Sequence, residues 1–145
     1  MKQFQQGGIT SIAKVALLFL GLVLLGFGWR QTLYAQSSHR ITGTYTNMYY
    51  NTQGGDVLGE ELKIVLTQGG RFQGALQFAE GEPEDLMVVD IELKGDSIGF
   101  SVPDVGSHAG RFKVTIDNGV IRGQLKFKRG GIENVTLKKG KGYWE

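Results

Sequence analysis

Apolar and polar residues alternate one by one through most of the chain beyond residue 40, with short turns between the alternating runs. Side chains two residues apart point to the same face of a strand, so a period of two is typical of half-buried β-strands. The clearest runs cover residues 61–67, 72–78, 86–94 and 112–116. Residues 36–145 contain no stretch with the 3.6-residue period of a helix. The pattern therefore predicts an all-β domain.

The turns between these runs are short and contain residues that accept a positive φ. Asn118-Gly119 is the strongest hairpin signal, and Gly69-Gly70 predicts another tight turn, because two-residue hairpins need that conformation. Short connections join neighbouring strands in antiparallel fashion, so we expect a meander. The eight predicted strands cover residues 41–50, 61–67, 72–78, 86–94, 98–102, 112–116, 121–127 and 132–138, and residues 51–59 are predicted to form a turn-rich loop.

Two of the predicted strands, residues 72–78 and 121–127, share the pattern apolar-x-Gly-x-Leu-x-Phe. Gly74 and Gly123 fall on the inward face, where a glycine lets a strand bend as a closing barrel requires. Closure also removes the exposed edges of a sheet. The sequence thus favours an eight-stranded antiparallel barrel, and a two-layer β-sandwich is the alternative.

Residues 1–35 have a different character from the rest of the chain. An uncharged, mostly apolar run of 15 residues covers 15–29, follows a lysine and ends at Arg30. A membrane-spanning helix needs about 20 such residues, whereas a secretory signal needs about 7–15 behind a positively charged start. We predict a signal helix that is cleaved after Ala35 and a single exported domain, periplasmic or extracellular, over residues 36–145. The alternative is an uncleaved anchor, which would be the protein's only membrane contact.

Charge is distributed unevenly between and within these parts. The chain has 16 Lys and Arg against 14 Asp and Glu, but three of the basic residues lie in the signal segment, which leaves a net charge of −1. A nucleic-acid partner is therefore not expected. Residues 36–104 carry a net charge of −7 and residues 105–145 a net charge of +6. The basic stretch either steers an anionic envelope or protein partner or pairs with acidic residues across the closing seam of the sheet.

The sequence offers few groups for catalysis or metal binding. With no cysteine, disulfides, thiol nucleophiles and cysteine-bound metals are excluded, and the only imidazoles are His39 and His108. Asp104, Ser107 and His108 have the composition of a catalytic triad, but one short polar surface loop explains the same residues. No phosphate-binding loop is present. We therefore expect no catalytic residue, no metal and no cofactor, and the protein is not predicted to be an enzyme.

Two short segments resemble known proteins. Residues 43–47, with the sequence GTYTN, resemble the Gly-x-Trp opening of lipocalin and avidin barrels, with Tyr45 in place of the tryptophan. Residues 137–144, LKKGKGYW, resemble the end of small secreted bacterial domains of unknown function. The first resemblance implies a small barrel of the kind that can hold one small ligand. Neither resemblance assigns a binding residue.

From these features we predict an exported β-barrel that binds a small apolar or amphipathic ligand non-covalently. The many bulky inward residues favour a packed core, so a pocket should be small and lie at one open end. Tyr45, Tyr49 and Tyr50 are the predicted ligand-binding residues, because a buried tyrosine hydroxyl needs a hydrogen-bond partner. The alternative is a protein- or envelope-binding module that has a packed core and acts through its charged outer face.

Overall fold

The computed structural model describes residues 41–104 and 108–145. The predicted signal helix and its cleavage site lie outside the described residues. The strands are β1 (Gly43–Thr46), β2 (Tyr49–Asn51), β3 (Asp56–Leu66), β4 (Phe72–Gly81), β5 (Met87–Lys94), β6 (Ser97–Val102), β7 (Gly110–Asp117), β8 (Val120–Phe127) and β9 (Ile132–Gly140). Within the two described stretches, no helix is long and apolar enough to cross a membrane.

The strands from β3 to β9 form an antiparallel meander in chain order, and β1 closes it. Tyr45 of β1 lies opposite Leu62 of β3 on one side and opposite Lys139 of β9 on the other. The result is a closed barrel of eight strands, to which β2 adds a short ninth strand beside the start of β3. The predicted barrel is confirmed, and the sandwich alternative is excluded.

Every second residue of the barrel strands points inward, and most of these side chains form one continuous apolar cluster. Phe100 and Phe112 stack at its centre, with ring centroids 4.6 Å apart. The smaller fully buried members are Leu62, Ile64, Leu76, Ile98, Val114, Ile121, Leu125, Val135 and Leu137. Burial of these side chains, at about 1.5–3 kcal/mol each, is the main stabilising contribution to the fold.

The first part of the barrel differs from the prediction. Instead of one strand over residues 41–50 and a loop over 51–59, the chain breaks after β1, and β3 begins earlier, at Asp56. The break follows from Asn47, whose side-chain oxygen accepts a hydrogen bond from the Glu60 amide at 2.6 Å. Gly59 allows this approach with a φ of +109° and no room for a Cβ beside the Asn47 backbone. The local polar contact thus ends the first strand, although its residues favour β-structure.

The two ends of the barrel differ in the length of their connections. At one end, two-residue turns join β5 to β6 and β7 to β8, and the second is the predicted Asn118-Gly119 turn, with both residues at positive φ. A connection over residues 67–71 joins β3 to β4 at the same end. The opposite end, where β3, β5, β7 and β9 begin, carries the connections over residues 82–86, 103–109 and 128–131, and the second of these is the longest between consecutive strands. We call this end the mouth. Long connections on a rigid scaffold are where binding groups usually lie.

The two glycines of the repeated pattern lie inside the barrel wall. A Cβ on Gly74 would lie 2.7 Å from a methyl group of Leu62, and a Cβ on Gly123 would lie 2.5 Å from the Cα of Val114 in β7. The first contact is with a side chain, whereas the second is with the backbone of the neighbouring strand. Both glycines thus occupy crowded inward positions, as the sequence pattern predicts.

The C-terminal residues fold back over the outer face of β3 and β4. The Tyr143 amide donates to the Glu61 carboxylate at 2.7 Å, and the Trp144 indole donates to Gln77 at 3.0 Å. The tail therefore ties the end of the chain to the outside of the barrel.

Candidate functional site

Four carboxylates collect at the mouth, and we call them the carboxylate cluster. Glu60 of β3, Glu80 of β4 and Glu133 of β9 each lie two residues from a buried core side chain on the same strand, so they hold interior-facing positions. Glu84 comes from the connection after β4, where its amide donates to the carbonyl of Phe78 at 2.8 Å. The strand pattern and one loop contact thus bring four acids to one end of the barrel.

His108 is buried beside this cluster, immediately before β7, and is only 5% exposed. Its Nε2 lies 3.1 Å from Glu80 Oε1, and its Nδ1 lies 3.3 Å from Glu84 Oε2. The ring stacks on Phe78, with centroids 4.0 Å apart and an interplanar angle of 8°. Stacking sets the plane of the imidazole, and the two carboxylates lie at its two nitrogen atoms. The ring is therefore held in one orientation.

Glu60 is the buried acid of the cluster, with 7% exposure. Burial raises the pKa of its carboxyl group, a hydrogen bond from the Asn47 side chain lowers it, the charge of Glu133 raises it, and His108 lowers it. Its Oε2 is buried without a hydrogen-bond partner. An unpaired buried carboxyl oxygen is costly, so the site has an unused acceptor inside the barrel wall.

The side chains of this site can accept hydrogen bonds and can bind a metal ion. One ligand atom from each of Glu80, Glu84 and His108 can be chosen so that all lie within 4.8 Å of one another, a spacing that one metal ion could bridge. Carboxylate oxygen and imidazole nitrogen are ordinary ligands of divalent transition metals. The same groups, together with Glu60, can accept hydrogen bonds from an ammonium or amide group. No thiol is available as a nucleophile, because the sequence has no cysteine.

The interpretation of His108 as part of a polar surface loop is wrong, because the residue is buried against Phe78. Its carboxylate neighbours come from β4 and the following connection, while Asp104 forms an ion pair with Lys128. Ser107 lies outside the described residues. This histidine is therefore positioned by Phe78, Glu80 and Glu84.

Sequence reasoning missed Glu60 although a signal was present. Glu60 stands in phase with Leu62 and Ile64, so extending the predicted strand back by one residue places a carboxylate on the inward face. The contacts of His108 had no such signal, because Glu80 and Glu84 lie 28 and 24 positions away in the sequence and only the barrel brings them together.

The three tyrosines predicted to bind a ligand occupy different environments. Tyr45 is completely buried, its hydroxyl donates to the carbonyl of Ile41 at 2.9 Å, and burial raises its pKa to about 12. Tyr49 and Tyr50 are each 54% exposed. Tyr49 is paired with Leu58, which is paired with Glu80, so these residues share one face at the mouth. The role of the tyrosines in ligand binding stays a prediction, and the geometry favours Tyr49.

Tyr45→Phe and Tyr49→Phe are expected to have separate effects. The first removes a buried hydrogen bond and should lower the free energy of unfolding by about 1 kcal/mol. The second removes only an exposed hydroxyl, so stability should stay within about 0.5 kcal/mol of the parent. Urea denaturation of both variants gives the comparison. Equal stability of the two would contradict an internal role for the Tyr45 hydroxyl.

The outer face of β7 and β8 carries much of the positive charge. Lys113, Arg122 and Lys126 occupy outward positions there, and no ion pair links them to an acid within the described stretches. Arg111 pairs with Glu92 of β5, at 3.2 Å. Three of the four basic side chains on this face are therefore exposed and have no ion pair within the described stretches, while pairing across the β9–β1 seam stays a prediction.

Comparison with models of known protein families, with curated protein sequences and with solved structures gives no match for this chain. The likeness of residues 43–47 to lipocalin and avidin barrels stays a prediction.

Proposed function

We propose that this protein is an exported, non-enzymatic binding module that holds a small amphipathic ligand at the mouth of its barrel. The observation that carries the proposal is the buried Oε2 of Glu60, which faces the barrel interior without a partner. A group that donates a hydrogen bond, such as an amine, would supply the missing contact. Binding would then recover part of the free energy that burial of this carboxylate costs.

Apolar surface lies beside the polar groups of the mouth. The imidazole of His108 is stacked on Phe78 and lies 6.2 Å from the ring of Phe127, measured between centroids. Phe127 and Leu58 are only partly buried, so both leave apolar surface at this end of the barrel. Aromatic and aliphatic surface next to a few fixed polar groups is typical of small-ligand sites. The ligand we propose has an apolar body and a hydrogen-bond-donating head.

Export is supported by the sequence of residues 1–35, with its short apolar run behind a positively charged start. Binding at the mouth is supported by the buried unpartnered oxygen of Glu60 and by the imidazole of His108, which two carboxylates hold in one orientation. The proposal places the protein in the periplasm or outside the cell.

Native mass spectrometry tests the proposal on the full-length gene product, expressed in an exporting bacterial host and purified without denaturation. We expect a discrete organic adduct that disappears on denaturation. Glu60→Gln should remove most of the adduct because it changes the unpaired acceptor. Glu82→Gln makes the same change at an exposed mouth residue and should keep the adduct. A bare wild-type mass, or an adduct that survives Glu60→Gln, would overturn the proposed site.

A second candidate function is supported by the solvated basic face of β7 and β8. Lys113, Arg122 and Lys126 could attract an anionic envelope component or an acidic protein. Binding of this kind should weaken steeply as salt screens the exposed charges, whereas binding at the mouth should depend less on salt. A bare mass combined with salt-sensitive binding to an anionic partner would favour this second function.

A further inference from the structure

We propose that the mouth contains a binding site for a divalent transition-metal ion of the Zn²⁺ class. His108 Nε2 and Glu80 Oε1 would be its ligands, and Glu84 would orient the imidazole through Nδ1. Water would complete the coordination. This site goes beyond the organic ligand proposed above and does not depend on it.

The hydrogen-bonding state of the imidazole is the first argument. An ionised carboxylate can only accept, so Glu84 favours a proton on Nδ1, 3.3 Å from its Oε2. The lone pair of Nε2 then points toward Glu80 Oε1, which lies 3.1 Å away and is also an acceptor. Two acceptors at this distance repel each other unless a proton or a cation lies between them.

The spacing of these two atoms also suits a metal ion. Zinc bonds to imidazole nitrogen and carboxylate oxygen are about 2.0–2.2 Å long, which separates two ligand atoms by about 3.4 Å at a tetrahedral angle. The observed separation of 3.1 Å requires only a small widening to admit the ion. The side chain of Glu80 is 70% exposed, so it can make this movement and leaves a route from solvent.

The surroundings provide the outer interactions that metal sites use. A histidine that binds a metal through one ring nitrogen usually donates a hydrogen bond from the other nitrogen to a carboxylate or carbonyl oxygen. Glu84 lies at that second nitrogen, Nδ1 of His108. Stacking on Phe78 holds the plane of the ring. Glu60 adds a buried carboxyl group with an unpartnered oxygen, and it interacts electrostatically with His108. A cation at Nε2 would therefore lie beside the carboxylates of Glu80 and Glu84 and within electrostatic reach of Glu60.

The competing explanation is a proton in place of the metal. A doubly protonated imidazolium could donate to Glu80 and Glu84 together without any ion. The two explanations make opposite predictions when Zn²⁺ is added to the metal-free protein. A metal site binds the ion, whereas a site in which the imidazole keeps both of its protons between the two carboxylates binds none.

Isothermal titration of the full-length gene product with Zn²⁺, after removal of metal by EDTA, tests the site. At about pH 7.5 we expect one ion per chain. His108→Gln and Glu80→Gln should each weaken binding by at least about 100-fold. Glu84→Gln should weaken it by about 10–100-fold, the usual effect of losing an outer partner. Glu60→Gln should weaken it only several-fold.

Two controls keep the result specific. Glu82→Gln repeats the charge change at an exposed residue of the mouth, and His39→Gln removes the only other histidine of the sequence. Both should leave zinc affinity unchanged. Because His108→Gln could disturb packing, circular dichroism must show that it is folded, and Glu80→Gln provides an independent variant at a mostly exposed side chain.

A second readout reports the ligands directly. Co²⁺ in the same site should give visible absorption bands of a four-coordinate nitrogen and oxygen site, and these should be absent in His108→Gln. Absence of zinc binding by the wild type, or binding that survives both His108→Gln and Glu80→Gln, would overturn the proposal. Neither result would affect the organic adduct, which is identified by its mass and by its persistence in EDTA.

Discussion

Gly123→Ala is expected to lower the free energy of unfolding by about 3 kcal/mol, the upper end of the usual cost of overpacking. The added Cβ would lie 2.5 Å from the Cα of Val114 and 2.8 Å from its Cγ1, and it would also contact the carbonyl oxygen of Lys113. Two of these atoms belong to the backbone of β7, so no change of rotamer can relieve the contact. β7 and β8 must separate, which weakens the hydrogen bonds between them.

A graded series makes this prediction specific. Gly74→Ala brings its Cβ 2.7 Å from a Leu62 methyl group, which can move, so we expect a cost of about 1–2 kcal/mol. Gly140→Ala adds its Cβ in open space at the end of β9 and should change stability by less than about 0.5 kcal/mol. Urea denaturation monitored by tryptophan fluorescence gives the three values. The essential result is that the loss of stability is largest for Gly123→Ala, smaller for Gly74→Ala and smallest for Gly140→Ala. Equal losses for Gly123→Ala and Gly140→Ala would refute the backbone contact.

The barrel could be predicted from the sequence because its main determinants are local. Alternation identifies the strands, and Asn118-Gly119 identifies a hairpin. The glycine in the pattern shared by residues 72–78 and 121–127 indicates curvature. What alternation cannot show is where a polar contact interrupts a strand. Asn47 ends β1 through hydrogen bonding with Glu60, and that contact depends on residues 13 positions apart.

Glu60→Gln is expected to stabilise the fold at neutral pH by about 1–3 kcal/mol while it weakens ligand binding. Burial raises the pKa of the Glu60 carboxyl group in the folded state above its ordinary value of 4.5. The folded protein therefore holds this proton more tightly than the unfolded chain. Stability from this group is present below about pH 4 and is lost as the pH rises through the raised pKa. Glutamine has no charge to bury, so it avoids this loss.

The measurement is urea denaturation of the parent and Glu60→Gln in EDTA, at about pH 4 and about pH 7.5. The two proteins should have similar stability at the lower pH, and the variant should be more stable at the higher pH. Glu133 and His108 also act on this carboxyl group, so the difference between the two proteins is the quantity to compare. A variant less stable than the parent at about pH 7.5 would mean that Glu60 is a structural residue. A gain in stability with loss of ligand would identify a functional group kept at a cost to the fold.

Most of the candidate site could not be predicted from the sequence. The position of Glu60 follows from strand phase, but its lack of a partner depends on how the mouth packs around it. His108 sits in a segment rich in polar and small residues, which gives no sign of burial. The stacking of its ring on Phe78 and its contacts with Glu80 and Glu84 exist only after the barrel has closed. Propensity and periodicity therefore predict the scaffold, whereas the site depends on tertiary contacts.

Closure of the barrel joins its first strand to its last, with Thr44 of β1 paired to Gly140 of β9. A ribosome completes β1 long before it makes β9, so the growing chain cannot form the seam until β9 has been made. One edge of β1 pairs with β3, but its other edge and the free edge of the latest strand remain without partners until then. Folding is thus delayed by non-local pairing, which is slow in β-proteins. For a chain that we propose is exported, this delay has a use, because an open chain can still be threaded through a secretion channel.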